Sequence, residues 1–453
     1  MSLFQEFSPS TAKEWQAQIE KDLRGLPFES LISSTLGEIP RNPFYFNESK
    51  NYSPAFCHRD WDILERVYSE ESSANSLLLS ALNSGASGIL IDLKGQLDLQ
   101  NLLKGIQCNF INSQFRIVDY HPTLLQDLNN YFSSFSPTQT WNASISFDIL
   151  AHLLESGDWF FNAEDDKNIF SDSVKLFSEF KGIRSIVIEG NVFQNSGANV
   201  YTELGSILSQ AHFYLHFLLE KGMDKNKIAD CFQFNLSIGN DFFLEISKLR
   251  ALQRLWSFVL SKYGIISETY ISATTTLMDK GSKDSYTNLL RSSTQGMSAI
   301  LGGARSLLIH PFDSSFSTPS EFSRRMSRNQ QLIFKEEAYL NKVSDMAAGS
   351  YYLESLTNEV ETRSYSFFQE IESRGGFLNA VTKGFIQQKI SDQARELVEK
   401  YHSEKQVMVG LNKFKPSSEE VKGCKTQPIY QRGKLNFTPI DYLLLENEIK
   451  FSS

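Results

Sequence analysis

The run Asn288-Leu-Leu-Arg-Ser-Ser-Thr-Gln-Gly-Met-Ser-Ala-Ile-Leu-Gly-Gly-Ala-Arg-Ser-Leu-Leu-Ile-His-Pro-Phe-Asp313 holds a helix, a glycine stop and a buried strand in sequence. Leu289, Leu290, Met297, Ile300 and Leu301 recur at roughly helical spacing. Gly302-Gly303 is a natural terminator. Leu307-Leu308-Ile309 is too short for a helix of its own and suits a parallel strand covered on both faces. Thr318-Pro319 then offers an N-cap with proline at the first helical position, opening a long helix over 321–340. Within it lies Glu321-Phe-Ser-Arg-Arg-Met-Ser-Arg-Asn-Gln330, and Asp345-Met-Ala-Ala-Gly-Ser-Tyr-Tyr352 follows.

Working outward, apolar runs alternate with helical patterns. Candidate strands are 87–93, 106–111, 115–119, 143–149, 185–189, 232–238, 269–275 and 306–310. Candidate helices between them are 74–84, 172–180, 201–221, 242–262 and 286–301. Eight strands in βα alternation fit an α/β chain folded as a (β/α)8 TIM barrel, although periodicity alone suits a doubly wound sheet nearly as well. Helices over 353–373 and 390–401, parted by Gly375-Gly376, extend the barrel. Upstream, Trp15, Ile19 and Leu23 lie on one helical face, with Ser10-Thr11 to cap it and Gly25 to end it. Its apolar stripe needs cover from this chain or from a partner. The organisation expected is an N-terminal arm (1–45), a TIM barrel (46–318), a helical extension (319–415) and a tail (416–453).

Composition narrows the function. The chain has 453 residues, a formal charge of −9 and 41% hydrophobic residues. An acidic chain of this kind is a poor nucleic-acid partner. No run of about 18 apolar residues exists, so no membrane span is expected. The N-terminus lacks a basic n-region and an apolar h-region, so it is not read as a secretory signal. Cys57, Cys108, Cys231 and Cys424 are scattered, which argues against a zinc site or a disulfide framework and fits a reducing cytoplasm.

The combination Asn-x-x-Arg (288–291), Gly-Gly-Ala (302–304), Pro-Phe-Asp (311–313), Phe-Ser-x-Arg-x-x-Arg-Asn (322–329) and Asp-x-x-x-Gly-Ser-x-Tyr (345–352) resembles the barrel domain of the methylmalonyl-CoA mutase family. The opening segment is similar to the arm of that family's small, non-catalytic subunit, through Phe7, Trp15, Lys21-Asp22-Leu23, Gly25, Phe28, Pro43 and Tyr45. Met408–Lys415 resembles the strand that closes the barrel region. The resemblance covers roughly residues 1–415.

It implies a carbon-skeleton rearrangement in which adenosylcobalamin supplies a radical and an acyl-CoA threads the barrel. Three features would carry that chemistry, and this chain departs from each. The cobalamin-domain signature Asp-x-His-x-x-Gly has only Asp119-Tyr-His121-Pro-Thr-Leu124 as a near match, without the glycine. Only 40 residues follow Lys413, against the ~100–150 of a typical domain. The catalytic pattern Gly-Tyr-His-Met-Gln-Glu-x-Gly-Ala becomes Gly190-Asn191-Val192-Phe193-Gln194-Asn195-Ser196-Gly197-Ala198. The frame holds at Gly190, Gln194, Gly197 and Ala198, but Val192 cannot donate a hydrogen bond to a carbonyl. Loss of one such donor typically costs about 10²–10³ in rate. The pattern Arg-Pro-Trp-Thr-Ile-Arg-Gln-Tyr, expected ahead of the first barrel strand, becomes Arg59-Asp60-Trp61-Asp62-Ile63-Leu64-Glu65-Arg66, with Arg66 at the tyrosine that would wedge substrate against cofactor.

No catalytic, cofactor-binding or metal residue is therefore expected here. Asn191, Val192 and Arg66 mark degenerate positions. His212 and His216, four apart, lack a third ligand. Arg324, Arg325 and Arg328 read as salt-bridge formers rather than CoA-phosphate contacts. Leu249, Leu252 and Trp256 make the packing face of one helix. The resemblance points to the non-catalytic small (beta) subunit of a heterodimer whose large (alpha) subunit binds adenosylcobalamin and interconverts methylmalonyl-CoA and succinyl-CoA. The chain departs from the usual small subunit, which keeps a degenerate cobalamin-like domain. Two alternatives stand beside this: a catalytic barrel served by a separate cobalamin protein, and a non-enzymatic scaffold. A non-catalytic barrel should have its axis filled by large side chains.

Overall fold

The computed structural model describes residues 11–36, 38–46, 55–415 and 440–450. The barrel strands run β1 (Asp62–Tyr68), β2 (Gly88–Lys94), β3 (Asn112–Asp119), β4 (Asn142–Ser146), β5 (Ile183–Arg184 resuming as Ile186–Glu189), β6 (Phe232–Ile238), β7 (Ile271–Thr275) and β8 (Ser306–Leu308). All pair in parallel, and Ser306↔Asp62 joins β8 to β1. The first half of β5 pairs with β4 and the second with β6, so the sheet closes into a (β/α)8 barrel. Helices follow each strand, as parallel crossovers require.

Three strand expectations need correction. Residues 106–111 form turns, with Ile106 N–H bonded to Leu103 O and Phe110 N–H to Gln107 O. Ile106 and Cys108 are buried at alternate positions, which imitates a strand. The run leads directly into β3, however, and leaves no room for a crossover. The first barrel strand is instead β1, so Arg66 lies within the barrel wall rather than ahead of it. The helix expected over 321–340 does begin at Glu321, but its cap is Ser320 rather than Thr318. It ends as an α-helix at Leu332 and continues as one π turn, Ile333–Glu337. Met408–Lys415 does not form a strand; it carries one isolated bridge, Val409 to Lys413.

The strands alternate with their apolar side outward. On β6, Phe232, Phe234, Leu236 and Ile238 pack under the helices, while Gln233, Asn235 and Ser237 bond to side chains inside the barrel or at its mouth. Leu249, Leu252 and Trp256 of the helix Phe242–Lys262 are buried in that outer layer, and Trp256 meets the rings of Phe232 and Phe234. The helices Val200–Glu220 and Tyr351–Ser373 cross closely at Gly205, where a Cβ would lie 2.8 Å from Phe367 and 2.9 Å from Ser364 O.

Two sets of buried ion pairs fix the helices. Arg324 and Arg328 both reach Glu65 on the outer face of β1, at 3.0 and 2.6 Å. Arg250, whose side chain is fully buried, binds Asp345 and Glu354. Asp345 also accepts the Ala55 N–H. Removing one partner of such a set leaves the others charged and unpaired in low dielectric. Arg250→Met is expected to cost about 3–5 kcal/mol in urea unfolding. Arg254→Met, at the half-exposed end of the same network, is expected to cost about 1 kcal/mol or less. Equal losses for the two would refute this account.

Candidate functional site

Polar side chains fill the barrel in layers. At the N-terminal end Asn112 Nδ2 donates to Asp62 (2.9 Å) and to Tyr270 Oη (2.7 Å), and Asn142 Nδ2 donates to Asp62 (3.0 Å). The Arg184 guanidinium lies 3.7 Å over the Tyr270 ring and donates to Gln233 and Asn142. In the middle, Gln114 donates to Ser306 Oγ (3.0 Å) and accepts from Gln233 and Ser272 (3.3 Å each). β3 and β7 stand on opposite sides of an eight-stranded barrel. The Asn112–Tyr270 and Gln114–Ser272 bonds therefore run across the axis.

The C-terminal mouth carries the third layer. Arg66 and Arg116 share Asp92, at 2.5 and 2.6 Å. Burial alone would lift the Asp92 carboxyl, but the two guanidiniums hold it below its ordinary range. His310 Nδ1 lies 2.7 Å from the Thr275 carbonyl and acts as donor there, leaving Nε2 facing Arg66 at 3.5 Å. Burial, with the Arg66 charge beside it, lowers His310 to about 3, so the ring is neutral. Glu189 accepts from Ser146 (2.6 Å) and Asn235 (2.9 Å). Below the next helix, burial raises Asp148 to about 6 although Tyr214 and the Glu189 and Ala151 N–H groups donate to it.

The sequence-predicted positions fall here. Arg66 is in the Asp92 pair. After Glu189 the chain turns at Gly190 into the short helix Asn191–Asn195. Asn191 accepts from Ser237 Oγ (3.1 Å), and Val192 is buried. Gln194 is held by Glu245 (2.9 Å) and Lys248 (3.3 Å). Lys248 also binds Glu203 and Glu245, at 3.1 and 2.7 Å, with all three groups buried. Arg66, Asn191 and Val192 thus share one mouth, where each of the two polar side chains is engaged by the protein itself.

The remaining candidates lie elsewhere. His121 bonds the Thr123 hydroxyl in the turn after β3. His212 joins Glu372 (3.2 Å) and Tyr263 (2.8 Å), and His216 lies by Glu220. Arg325 lies over Phe322. Among the described residues no group of three His, Cys, Asp or Glu side chains is placed to hold a metal. Sequence reasoning missed Asn112, Gln114, Arg116, Asp92, Glu189 and Tyr270. Part of the signal was legible: Gln233, Asn235 and Ser237 are polar at every second position of an otherwise apolar strand, and Asn112, Gln114 and Arg116 repeat that spacing.

The neutral state of His310 has a pH consequence. Its folded pKa, about 3, lies below the ordinary 6.5. Its contribution is therefore complete above pH 6.5 and is lost as pH falls towards 3. Urea midpoints at pH 7 and pH 5 are expected to show His310→Gln losing about 1–2 kcal/mol less than the wild type over that interval. Identical losses would show that His310 does not titrate with unfolding. His58 and His152, each lowered to about 4 by burial, keep part of the acid sensitivity in the variant.

A family model described as methylmalonyl-CoA mutase matches residues 80–433. A methylmalonyl-CoA mutase small subunit from Porphyromonas gingivalis is 29% identical over 93% of this chain and 72% of its own length. A methylmalonyl-CoA mutase from Cereibacter sphaeroides is 27% identical over 90% of this chain and 64% of its own. A probable methylmalonyl-CoA mutase small subunit from Mycobacterium bovis is 28% identical over 82% of this chain and 62% of its own. The chain thus spans about two thirds of the length of these relatives.

Proposed function

This chain belongs to the methylmalonyl-CoA mutase family, and we propose that it acts there as a non-catalytic small subunit. Its partner in this reading is a large subunit that binds adenosylcobalamin and interconverts methylmalonyl-CoA and succinyl-CoA. The observation that carries the reading is the pair of hydrogen bonds across the barrel axis, Asn112 to Tyr270 and Gln114 to Ser272. An acyl-CoA threading the barrel would have to break both layers and leave buried donors and acceptors unpaired, at about 1–3 kcal/mol each.

Other features support it. Val192 stands where the resemblance asks for a hydrogen-bond donor, and Arg66 is committed to Asp92. For adenosylcobalamin the fit is poor at the places the family suggests. His121 is tied to Thr123, and Tyr442 joins Arg116, Glu189 and Val192 around a small cavity at the mouth. No step is derived through the cofactor on this chain. Two of the relatives above carry the name small subunit, the Mycobacterium bovis one as a probable small subunit.

A partner is also suggested by the arm. The helix Ala12–Asp22 opens with a capping box between Thr11 and Glu14 and has no buried residue. Among the described residues Trp15 meets the rings of Phe44 and Phe46, at 4.2 and 5.7 Å. Ile19 and Leu23 stay half-buried on the same face. Phe7 and Ser10, named with this arm from the sequence, lie outside the described residues.

The test is co-expression with the large subunit from the same genome, then purification and a mutase assay. A one-to-one complex is expected, with no turnover by this chain alone. Ile19→Asp is expected to weaken the complex about tenfold or more while leaving the melting temperature of the isolated chain unchanged. Failure to form a complex, with turnover by this chain once a small cobalamin-binding protein is added, would overturn the reading.

A further inference from the structure

The segment Ile440–Lys450 lies on the C-terminal mouth of the barrel. Three of its backbone N–H groups donate to carbonyls of the connections that follow different strands. Ile440 reaches Leu154 after β4 (2.8 Å), Leu443 reaches Asn195 after β5 (2.7 Å) and Leu445 reaches Met278 after β7 (3.0 Å). The segment therefore spans the β4–β7 side of the mouth. Tyr442 hydroxyl donates to the Glu155 carboxylate. The Tyr442 ring borders the small cavity that Arg116, Ser146, Glu189 and Val192 also line. Leu443 lies against the chain at Gly197, where a Cβ would come within 3.3 Å of it.

The far end is anchored by a buried charge. Glu446 is fully buried, accepts from Ser282 N–H (2.8 Å) and Oγ (2.9 Å), and favours the charged state of Arg291. A carboxylate is stable in such a place only where donors and a counter-charge are already arranged. The seat is arranged by Asn288 and Arg291. Asn288 clamps Gly281 N–H and O (3.1 and 2.8 Å) and takes a bond from Arg291 (2.8 Å), which sets the loop that presents Ser282. Leu445 and Ile449 pack with Tyr401, Met408 and Leu411 in a small core of their own.

We propose that Ile440–Lys450 is an intramolecular strap, latched by Glu446, that covers the β4–β7 side of the C-terminal mouth of the barrel against small molecules and docking domains. Three spaced backbone bonds, a buried glutamate with a prepared seat and a separate apolar core specify one register for this segment. A passing surface contact would need none of them. The occupant of that side of the mouth is this chain itself, and departure of the strap uncovers the cavity beneath.

Two measurements test it. The first is hydrogen exchange on the unmodified chain. The Ile440, Leu443 and Leu445 amides are expected to exchange at least about a hundredfold more slowly than free peptide, and unprotected amides there would overturn the proposal. The second places a thiol under the strap. Val192→Cys, in a chain whose Cys57 and Cys424 are serine, is treated with a thiol-reactive disulfide reagent. The rate is expected to rise about tenfold or more with either Glu446→Ala or Leu445→Asp, while far-UV circular dichroism stays that of the parent. Equal rates in the parent and both latch variants would overturn the strap.

Discussion

The hydrogen bond from Asn112 to Tyr270 joins two strands that stand on opposite sides of the barrel, and the rest of the interior is arranged around that constraint. A side chain that bridges the axis uses up the space through which a ligand could pass. It must then be matched by neighbours that satisfy its remaining groups. Asp62, Asn142, Arg184 and Gln233 do this at the N-terminal end, and Ser272, Ser306 and Gln233 do it around Gln114. Low local dielectric strengthens such a network when complete and penalises it heavily when one member is lost. The barrel is closed largely by polar side chains, with a few apolar ones such as Leu64 and Leu308 among them, and most of its apolar packing lies in the layer between strands and helices.

That arrangement separates architecture from chemistry. The motifs that carry the family resemblance mostly build the scaffold. Phe-Ser-x-Arg-x-x-Arg-Asn places Arg324 and Arg328 on Glu65 and so ties its helix to β1. Asp-x-x-x-Gly-Ser-x-Tyr supplies Asp345 to Arg250. Asn-x-x-Arg shapes the loop at Gly281 and Ser282. Each of these side chains has a partner within the chain itself. A chain can keep all three motifs, and with them the fold, while the mouth changes at Arg66, Asn191 and Val192.

The sequence made most of the barrel legible because apolar alternation on the outer faces and glycine stops between elements are local signals. β6 and β8 and the helix Phe242–Lys262 follow from them directly. The errors have local causes too. Ile106 and Cys108 are buried at alternate positions in a turn, which is the pattern of a strand without its crossover. β1 was hidden because Glu65 and Arg66 are charged, and only their distant partners, Arg324, Arg328 and Asp92, make them compatible with burial. The mouth was partly legible: the frame of Gly190, Gln194 and Gly197 located it. Its electrostatics were not, because Asp92, Arg116 and His310 are separated by up to 218 residues and meet only when the barrel closes.

The polar filling also explains how the barrel holds a single register. Hydrophobic strand faces tolerate sliding, since one apolar contact resembles the next. A one-residue slip of β3 would turn Asn112, Gln114 and Arg116 out against the helices and bring Ser113, Phe115 and Ile117 inside, reversing every residue of the strand. Each inward group would then lose a named partner: Asp62, Ser306 or Asp92. The interruption of β5 at Ser185 belongs to the same logic. Arg184 bonds inward to Gln233 and Glu189 bonds inward to Asn235, although five positions separate them and strict alternation would put them on opposite faces. One residue taken out of the ladder at Ser185 lets both ends of β5 serve the interior, and the same break lets β5 pair with β4 on one side and β6 on the other. Closure of the barrel and completion of its polar layers are therefore one event: neither is satisfied until the other is.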